Sequence, residues 1–371
     1  MKKTIALLSG DGIGPEVLNQ AVKALKAVAA RFDHQFHFQP ALVGAVAIRA
    51  TGNPLPDDTL DVCRHADAIL FGAIGDPAFD QDPTAKVRPE QGLLRLRKEM
   101  GLFANIRPVE LYESLSERSP LREERIKGTN LVVYRELTGG IYFGDKGRSS
   151  DGKLAYDSCE YSVEEIERIA KMAFEAALRR RKKCTLVDKA NVLETSRLWR
   201  ETVQRLANEY PDIEMEYLFV DNAAMQLIQR PSQFDVILTE NMFGDILSDE
   251  ASVLTGSLGL LPSASVGEKT ALFEPVHGSY PEAAGKDLAN PIAAILSGAL
   301  MLDHFEMFEE ADRIRTVVRL LMDKGVVTMD LNPNSFVSCS KIGDIIGVFI
   351  EADSEDEASF ANLFEGGVPI V

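Results

Sequence analysis

Two aspartates, Asp245 and Asp249, stand one helical turn apart in the segment FGDILSDEAS at residues 243–252. Side chains four residues apart share one face of a helix, so both carboxylates can reach a single hard divalent cation. Each could instead be a solvated or helix-capping carboxylate. Apolar neighbours such as Ile246 and Leu247 indicate that much of this helix is buried, and two like charges at this spacing destabilise a helix that holds no cation. The pattern therefore favours a metal site.

A second segment places apolar and basic side chains together. Leu93, Leu94 and Arg97 fall within one turn of a helix predicted over Glu90–Met100. Two apolar groups and one guanidinium can therefore flank the same ligand.

Two further arginines stand where apolar runs end. Arg107 follows a short apolar turn, and Arg135 follows the run Asn130–Tyr134. Arginines at strand ends suit bidentate binding of carboxylates. Taken singly, each is more often a surface or ion-paired residue. Together with a metal site, they indicate a small polycarboxylate as substrate.

A lysine and a tyrosine are candidates for proton transfer. Lys189 follows the apolar run Thr185–Val187, and its position alone favours an ordinary exposed lysine at a strand end. A lysine whose pKa is lowered by nearby cations can also serve as a general base, and Tyr142 is a matching acid.

The stretch LLSGDGIGPEV at residues 7–17 has the outline of a dinucleotide-binding loop. Gly10 and Gly12 fit the fingerprint, but its sixth position is Pro15 rather than glycine. Proline followed by Glu16 is typical of a helix start with an acidic first turn. Such an acidic group would repel a pyrophosphate, so an ordinary Rossmann fold is disfavoured.

A second glycine-rich stretch, EPVHGSYPEAAGKDLANP, occupies residues 274–291. It is too small and polar to form core. A loop of this composition lets the backbone approach a ligand closely.

The composition limits the classes of partner. The chain has 371 residues, with 40 basic and 57 acidic side chains and a formal net charge of −17, which disfavours nucleic acid and anionic membranes as partners. The four cysteines are scattered without a CxxC pair, so a reducing cytoplasm is expected. The apolar start of the chain is too short for a secretory signal and is predicted to be a β-strand. No stretch approaches the roughly 20 apolar residues of a membrane span.

The elements that must position these residues alternate along the chain. Strands are predicted at Thr4–Ser9, Ala68–Ala73, Asn130–Tyr134, Thr185–Val187, Phe234–Thr239 and Ala271–Phe273. Helices are predicted at Pro15–Arg31, Glu90–Met100, Val163–Arg181, Ser196–Tyr210, Met242–Leu254, Pro291–Met301 and Ala311–Lys324. This alternation indicates an α/β protein. Residues 138–160 lack helical periodicity and are predicted to form an extended hairpin or arm.

Six segments together resemble the isocitrate/isopropylmalate dehydrogenase family of metal-dependent β-decarboxylating dehydrogenases. They stand in family order over nearly the whole chain: SGDGIGPEV, EQGLLRLRK, RELTGGIYFG, DKANVLETSRLWR, FGDILSDEASVLTGSLGLLPSAS and FEPVHGSYPEAAGKDLANP. The resemblance implies two α/β domains sharing a mixed sheet, with NAD bound without a Rossmann fold. The first domain would be 1–102 with 256–371. The second, 103–255, would carry the metal aspartates, the dimer interface and an arm near 138–160 that joins a homodimer.

The resemblance also implies roles for individual residues. Mg²⁺ or Mn²⁺ would be held by Asp245, Asp249 and the partner's Asp221, with Lys189 as base and Tyr142 as proton donor. Glu90 would lie near the nicotinamide. Four residues would reach the partner's active site: Lys189, Asn191, Val192 and Asp221. Substrate contacts would come from Glu90, Leu93, Leu94, Arg97, Arg107, Arg135, Val192 and Asp221. NAD contacts would come from Ile13, Asn191, Glu274, His277, Gly278, Ser279, Glu282, Ala283, Gly285, Ala289 and Asn290.

The substrate depends on the group at C3 of a 2-hydroxy diacid. Leu93 and Leu94 offer an apolar wall that suits an isopropyl group, whereas the second carboxylate of isocitrate would be penalised against leucine. Dehydrogenases of homoisocitrate, isocitrate, malate or tartrate remain alternatives, as does a non-catalytic regulatory subunit of the same fold. Glu282 favours NAD over NADP, because an acidic side chain can accept hydrogen bonds from the ribose hydroxyls.

Overall fold

The computed structural model describes residues 1–81 and 87–352. The chain folds into two compact units, one formed by Met1–Leu93 with Phe273–Val371 and one formed by Leu94–Leu272. The predicted domain division, with boundaries at 102/103 and 255/256, remains a prediction, and its part beyond residue 352 lies outside the described residues.

The strands are β1 (Lys2–Gly10), β2 (Gln35–Pro40), β3 (Ala68–Ala73), β4 (Ala104–Glu110), β5 (Asn130–Glu136), β6 (Lys146–Arg148), β7 (Ala155–Asp157), β8 (Lys183–Asp188), β9 (Glu214–Phe219), β10 (Val236–Thr239), β11 (Pro262–Val266) and β12 (Ala271–Pro275). The helices are α1 (Gly14–Arg31), α2 (Ala45–Thr51), α3 (Asp57–His65), α4 (Pro77–Asp80), α5 (Glu90–Glu99), α6 (Glu123–Ile126), α7 (Val163–Leu178), α8 (Glu194–Ala207), α9 (Val220–Gln229), α10 (Asn241–Ser252), α11 (Ile292–His304), α12 (Phe308–Asp323) and α13 (Cys339–Glu351). The predicted α/β class is therefore correct.

In the first unit, β1 pairs in parallel with β2 and with β3. Helix α1 begins just after the glycine turn that follows β1, with Pro15 in its first turn. It buries one apolar stripe, which includes Val17, Leu18 and Leu25, and it packs against α11 and α13. Helix α11 is buried on nearly all sides, so it forms the centre of this unit's helical layer.

The second unit contains a mixed sheet with the strand order β11-β4-β5-β10-β8-β9. Strand β4 is antiparallel to both β11 and β5, whereas β5, β10, β8 and β9 are parallel to one another. Helices α7 and α8 supply the apolar side chains that cover this sheet, with Phe174 and Trp199 at the centre of the cluster. The carboxyl ends of these four parallel strands meet at one edge, where ligands commonly bind in open α/β sheets.

Some elements were not predicted from sequence. Arg107 and Pro108 interrupt β4, and Glu214 and Glu216 interrupt the first half of β9. The two glycines within α13 weaken its helical signal. The polar segment 138–160 does contain an antiparallel hairpin, formed by β6 and β7, as predicted. Its place in a homodimer remains a prediction. No helix of the described residues is long and apolar enough to cross a membrane.

Candidate active site

The two aspartates lie on α10, which starts directly after β10. The Glu240 side chain caps the helix by accepting a hydrogen bond from the backbone N–H of Phe243. Leu247, Ser248 and Ala251 face inward, and the Asp245 and Asp249 side chains remain 36% and 69% exposed. Both carboxylates are therefore available from one face.

Arginines and a tyrosine converge on these carboxylates. Arg135 Nη1 donates to Asp245 Oδ1, and Arg107 Nη1 donates to Asp249 Oδ1 at 2.6 Å. Tyr142 Oη donates to Asp245 Oδ2 at 2.9 Å. The structure thus brings together five residues that the sequence singled out separately.

Arg135 is an almost fully buried cation at the end of β5. The pKa of its guanidinium is lowered to about 10, chiefly by burial and then by the cations Arg107 and Arg97, with Asp245 opposing the shift. The group stays protonated at neutral pH, because that value lies well above 7. Three arginines therefore form a local concentration of positive charge in a chain of net charge −17, which favours an anionic ligand.

Arg107 is held by hydrogen bonds to buried polar side chains. Its Nε donates to Asn105 Oδ1 at 2.9 Å, and its Nη1 also donates to Ser248 Oγ at 2.8 Å. Asn105 in turn donates to Ser263 Oγ at 3.0 Å and to the carbonyl of Ala264. A buried asparagine on the sheet thus fixes this guanidinium.

Tyr142 lies on a 3₁₀ turn, Gly140–Tyr142, that follows β5. Gly140 has φ +75°, and a Cβ there would lie 2.3 Å from Tyr161 Oη, so only glycine fits this turn. Desolvation raises the pKa of the Tyr142 phenol, and the hydrogen bond and negative charge of Asp245 raise it further. Tyr142 therefore keeps its proton and can act as an acid.

Lys189 and Asp221 form a second cluster at the ends of β8 and β9. Lys189 Nζ donates to Asp221 Oδ1 at 2.8 Å, and this bond is the main cause of the lowered pKa of the exposed Asp221 carboxyl. Asn191 and Val192 are exposed in the turn between β8 and α8. No group of three or more metal-ligating side chains occurs within residues 1–81 and 87–352, so Asp221 does not join Asp245 and Asp249 within this chain.

Two carboxylates on one face match the oxygen ligands that Mg²⁺ and Mn²⁺ prefer. The donor set thus suits the predicted cation in type, and its remaining ligands must come from outside this pair.

The first unit holds most of the residues predicted to bind NAD. The backbone N–H of Ile13 donates to the carbonyl of Ser279 at 2.8 Å, and a Cβ on Gly12 would lie 2.0 Å from that carbonyl. The glycine turn and the second glycine-rich loop are therefore in direct backbone contact. Glu90 lies close by, since its Oε1 would be 3.0 Å from a Cβ on Gly75.

His277 carries an acceptor without a partner. Its Nδ1 lies 2.9 Å from the carbonyl of Gly278, and because a carbonyl only accepts, Nδ1 carries the proton. Burial lowers the pKa of the imidazole, which leaves Nε2 as a neutral acceptor that is buried and has no hydrogen-bond partner. A ligand N–H placed there would satisfy it.

The remaining loop residues differ in exposure. Glu282 is exposed, whereas Glu274, Ala283 and Ala289 are buried. Gly278 has open space around it, and the backbone N–H of Gly285 donates to the carboxylate of Glu16. The Asn290 side chain is engaged locally, donating to Asp330 at 3.1 Å and accepting from the backbone N–H of Ile292.

On α5, the predicted apolar wall is accessible. Leu94 is 53% exposed, and Leu93 and Arg97 are half-buried.

Sequence reasoning missed two buried polar residues that organise these sites. Asp11 accepts backbone hydrogen bonds from Ala45, Val46 and Gly75 at 2.9–3.1 Å. Asn241 accepts from Arg135 and donates to the carbonyl of Gly139. Asp11 stands inside the glycine-rich motif, where the glycines drew the interpretation, and Asn241 stands two residues before the aspartate segment. The partners of both are distant in sequence.

The fold and this arrangement of residues define a decarboxylating dehydrogenase. Residues 4–346 match the family described as isocitrate/isopropylmalate dehydrogenase, and the chain belongs to that family.

Named relatives and solved structures agree with this class. The 3-isopropylmalate dehydrogenases of Bacillus subtilis and Bacteroides fragilis are 55% and 54% identical to this chain over 337 and 327 residues, covering 89% and 88% of it and 92% of each relative. The crystal structure of isocitrate dehydrogenase from Methylococcus capsulatus is similar with a TM-score of 0.82 and 37% identity, covering 94% of this chain and 100% of that one. That of a β-decarboxylating dehydrogenase from Thermococcus kodakarensis gives a TM-score of 0.80 at 36% identity, covering 97% and 98%.

Tyr142 should ionise only above the ordinary tyrosine pKa of about 10, because its phenolate would face the carboxylate of Asp245. We expect the ultraviolet difference titration of wild type minus Tyr142→Phe, recorded with a chelator present, to have its midpoint above that value. The Asp245→Asn variant, analysed in the same way, should bring the midpoint down. A wild-type midpoint at or below 10 would contradict this assignment.

Proposed function

We propose that the chain catalyses the NAD-dependent oxidative decarboxylation of 3-isopropylmalate to 4-methyl-2-oxopentanoate, a step of leucine biosynthesis. The observation that carries the proposal is the convergence on Asp245. One carboxylate on the exposed face of α10 contacts both a buried guanidinium and a protonated phenol. One place therefore offers a guanidinium for a substrate carboxylate, a carboxylate for a cation, and a phenol as proton donor.

The cation would be Mg²⁺ or Mn²⁺, held by Asp245, Asp249 and the partner's Asp221. When bound, the cation would supply polarisation of the substrate's C2 hydroxyl and adjacent carboxylate, and NAD would supply the acceptor for the hydride from C2. Arg107 and Arg135 contact Asp249 and Asp245 in this structure, so these guanidiniums would lie beside the cation, where they would bind the substrate's own carboxylates.

Two side chains would move protons. Lys189 Nζ would take the proton of the C2 hydroxyl, and Tyr142 would give a proton to the carbon skeleton as CO₂ leaves. Lys189 Nζ is paired with Asp221 in this structure, so the proposed base and the proposed third metal ligand lie side by side.

A homodimer with shared active sites is part of this proposal, and the arrangement of the two clusters supports it. Lys189 and Asp221 contact each other, but the described part of the chain forms no three-carboxylate group. Supporting this, exposed apolar side chains stand on and beside the helices that carry the aspartates: Met225, Ile228, Ile246 and Val253, each 49–58% exposed. Burying such side chains against a second copy is favourable, at about 25 cal/mol per Å².

The substrate assignment rests on two adjacent leucines of α5. Leu93 and the exposed Leu94 suit an isopropyl group at C3, and a carboxylate in that place would lose its hydration without gaining a partner there. The arginines Arg97, Arg107 and Arg135 would bind the two carboxylates of the malate skeleton.

For NAD, the unpartnered Nε2 of His277 is matched by the amino group of adenine, which donates hydrogen bonds. Ile13, Ser279 and Gly285 would provide backbone close to the dinucleotide, and Glu90 would lie toward its nicotinamide end. We place the enzyme in the cytoplasm, in keeping with four cysteines that are all unpaired in the described residues.

Wild-type enzyme with NAD and Mg²⁺ or Mn²⁺ should form NADH with 3-isopropylmalate at least about tenfold faster, by kcat/KM, than with isocitrate, homoisocitrate, malate or tartrate. A rate assay over this panel tests the proposal directly. Clear turnover of isocitrate without turnover of 3-isopropylmalate would overturn the substrate assignment.

Mixing two inactive chains should restore activity. In a heterodimer of Lys189→Ala and Asp245→Asn, one site would contain both defects and the other neither. A 1:1 random mixture should then recover about a quarter of wild-type activity, because half of the dimers are mixed and each has one intact site. Purified heterodimers with two different tags provide the control. Demonstrated heterodimers without recovered activity would mean that each site is built within one chain.

Coenzyme preference should respond to Glu282. Replacing it with lysine removes a carboxylate beside the expected ribose and adds a phosphate partner, so the ratio of kcat/KM for NADP to that for NAD should rise at least about tenfold. Ala283 is left unchanged because it is only 3% exposed. Glu309→Lys makes the same charge change on an exposed site of α12 and should leave the ratio unaltered. An unchanged ratio in Glu282→Lys would show that specificity is set elsewhere.

A further inference from the structure

Asn241 occupies a position that no catalytic role explains. It is the first residue of α10 and is completely buried. Its Oδ1 accepts hydrogen bonds from Arg135 Nη2 at 2.8 Å and from Nε at 3.2 Å. Its Nδ2 donates to the carbonyl of Gly139 at 3.0 Å, and its backbone N–H donates to Tyr161 Oη at 2.9 Å.

The chemistry of the partners fixes the orientation of this amide. A guanidinium only donates and a carbonyl only accepts, so a flipped amide would place like groups together on both sides. Aspartate would keep the acceptor but oppose a carboxylate to the carbonyl of Gly139. Serine is too short to span both partners. Asparagine therefore meets both demands at this position.

These bonds connect two groups with different roles. On one side lies Arg135, whose guanidinium would hold a substrate carboxylate. On the other lies Gly139, which immediately precedes the turn Gly140–Tyr142. Tyr161 packs against that turn, since a Cβ on Gly139 would lie 2.8 Å from its ring. The backbone N–H groups of Gly139 and Gly140 also donate to the Glu136 carboxylate at 2.7 Å and to the carbonyl of Glu160 at 3.0 Å. Asn241 adds a link from this turn to Arg135.

We propose that Asn241 is a positioning residue that sets the placement of the proton donor Tyr142 relative to the substrate-holding guanidinium of Arg135. The inference rests on the proposed function for the roles of these two groups. Because Asn241 bonds both to Arg135 and to the carbonyl of Gly139, a shift of Arg135 on substrate binding would act on the turn through this amide, so carboxylate binding and placement of the phenol are coupled.

A double-mutant cycle tests the coupling. Asn241→Asp should raise the KM for 3-isopropylmalate, because its new charge neutralises Arg135, and should lower kcat at least about tenfold, because the turn loses its donor. In a Tyr142→Phe background, the same substitution should lower kcat less than about twofold, since no phenol remains to be misplaced. Equal reductions of kcat in both backgrounds would overturn the proposal.

Asn105→Asp is the matched control. It places the same new charge beside a neighbouring guanidinium, with Asn105 Oδ1 likewise 2.9 Å from Arg107 Nε, but its other bonds run to β11 rather than to the turn of Tyr142. It should raise KM and reduce kcat by the same factor in both backgrounds. If its effect on kcat also vanished with Tyr142→Phe, the special role of Asn241 would be refuted.

A readout without substrate separates this inference from the proposed function. Asn241→Ser should bring the titration midpoint of Tyr142 toward the ordinary tyrosine value, because the released turn withdraws the phenol from Asp245. This measurement also serves if Asn241→Asp fails to fold. An unshifted midpoint would refute the positioning role, whereas absence of 3-isopropylmalate turnover by wild type would refute only the proposed function.

Discussion

A buried guanidinium sets the organisation of the second unit. Arg135 is 5% exposed, and a cation in that place requires hydrogen-bonding partners on every side, because burial of an unpaired charge costs several kcal/mol. Asn241 satisfies two of its nitrogens and Asp245 a third. Both partners belong to α10, so the buried charge of β5 also fixes the helix that carries Asp245 and Asp249. Strand β5 pairs in parallel with β10, with Thr239 opposite Arg135. The end of β5 therefore lies beside the start of α10.

The second unit contains a cluster of positive charge, although the chain as a whole is strongly negative. A body of net charge −17 repels small polycarboxylates at long range. Arg135 is nevertheless buried near Arg107 and Arg97, and burial first and these two cations second lower the pKa of its guanidinium. Asp245 and Asp249 partly neutralise this cluster in the structure. A divalent cation would take over their charge, and the arginines would then be free to bind the substrate's carboxylates. Binding of cation and substrate is therefore expected to be mutually favourable.

The first unit is organised by close backbone contacts around its glycine turn rather than by a cluster of positive charges. Its glycine turn approaches the loop of Ser279 so closely that a single methyl group on Gly12 would collide with a carbonyl. Asp11, buried behind the turn, accepts three backbone N–H groups and ties the turn to α2 and to Gly75. The acidic Glu16, whose presence disfavoured a Rossmann loop, binds the backbone of Gly285 instead. The same glycine-rich motif thus serves a different fold.

The sequence by itself determined the α/β class, the helix that carries the two aspartates, and the positions of Arg135 near the end of β5 and of Lys189 after β8. These are local features: a period of four residues, a proline at a helix start, or an apolar run that stops at a charge. Only the tertiary structure decided which of them meet, and it places Arg107 within β4 rather than at a strand end. Strands β4 and β9 are interrupted by charged residues, and the neighbouring strands complete their hydrogen bonds. Asn241 and Arg135 are 106 residues apart in sequence, and Asp11 and Gly75 are 64 apart. A buried asparagine or aspartate gives no periodic signal, because its value lies in partners that the folded sheet brings to it.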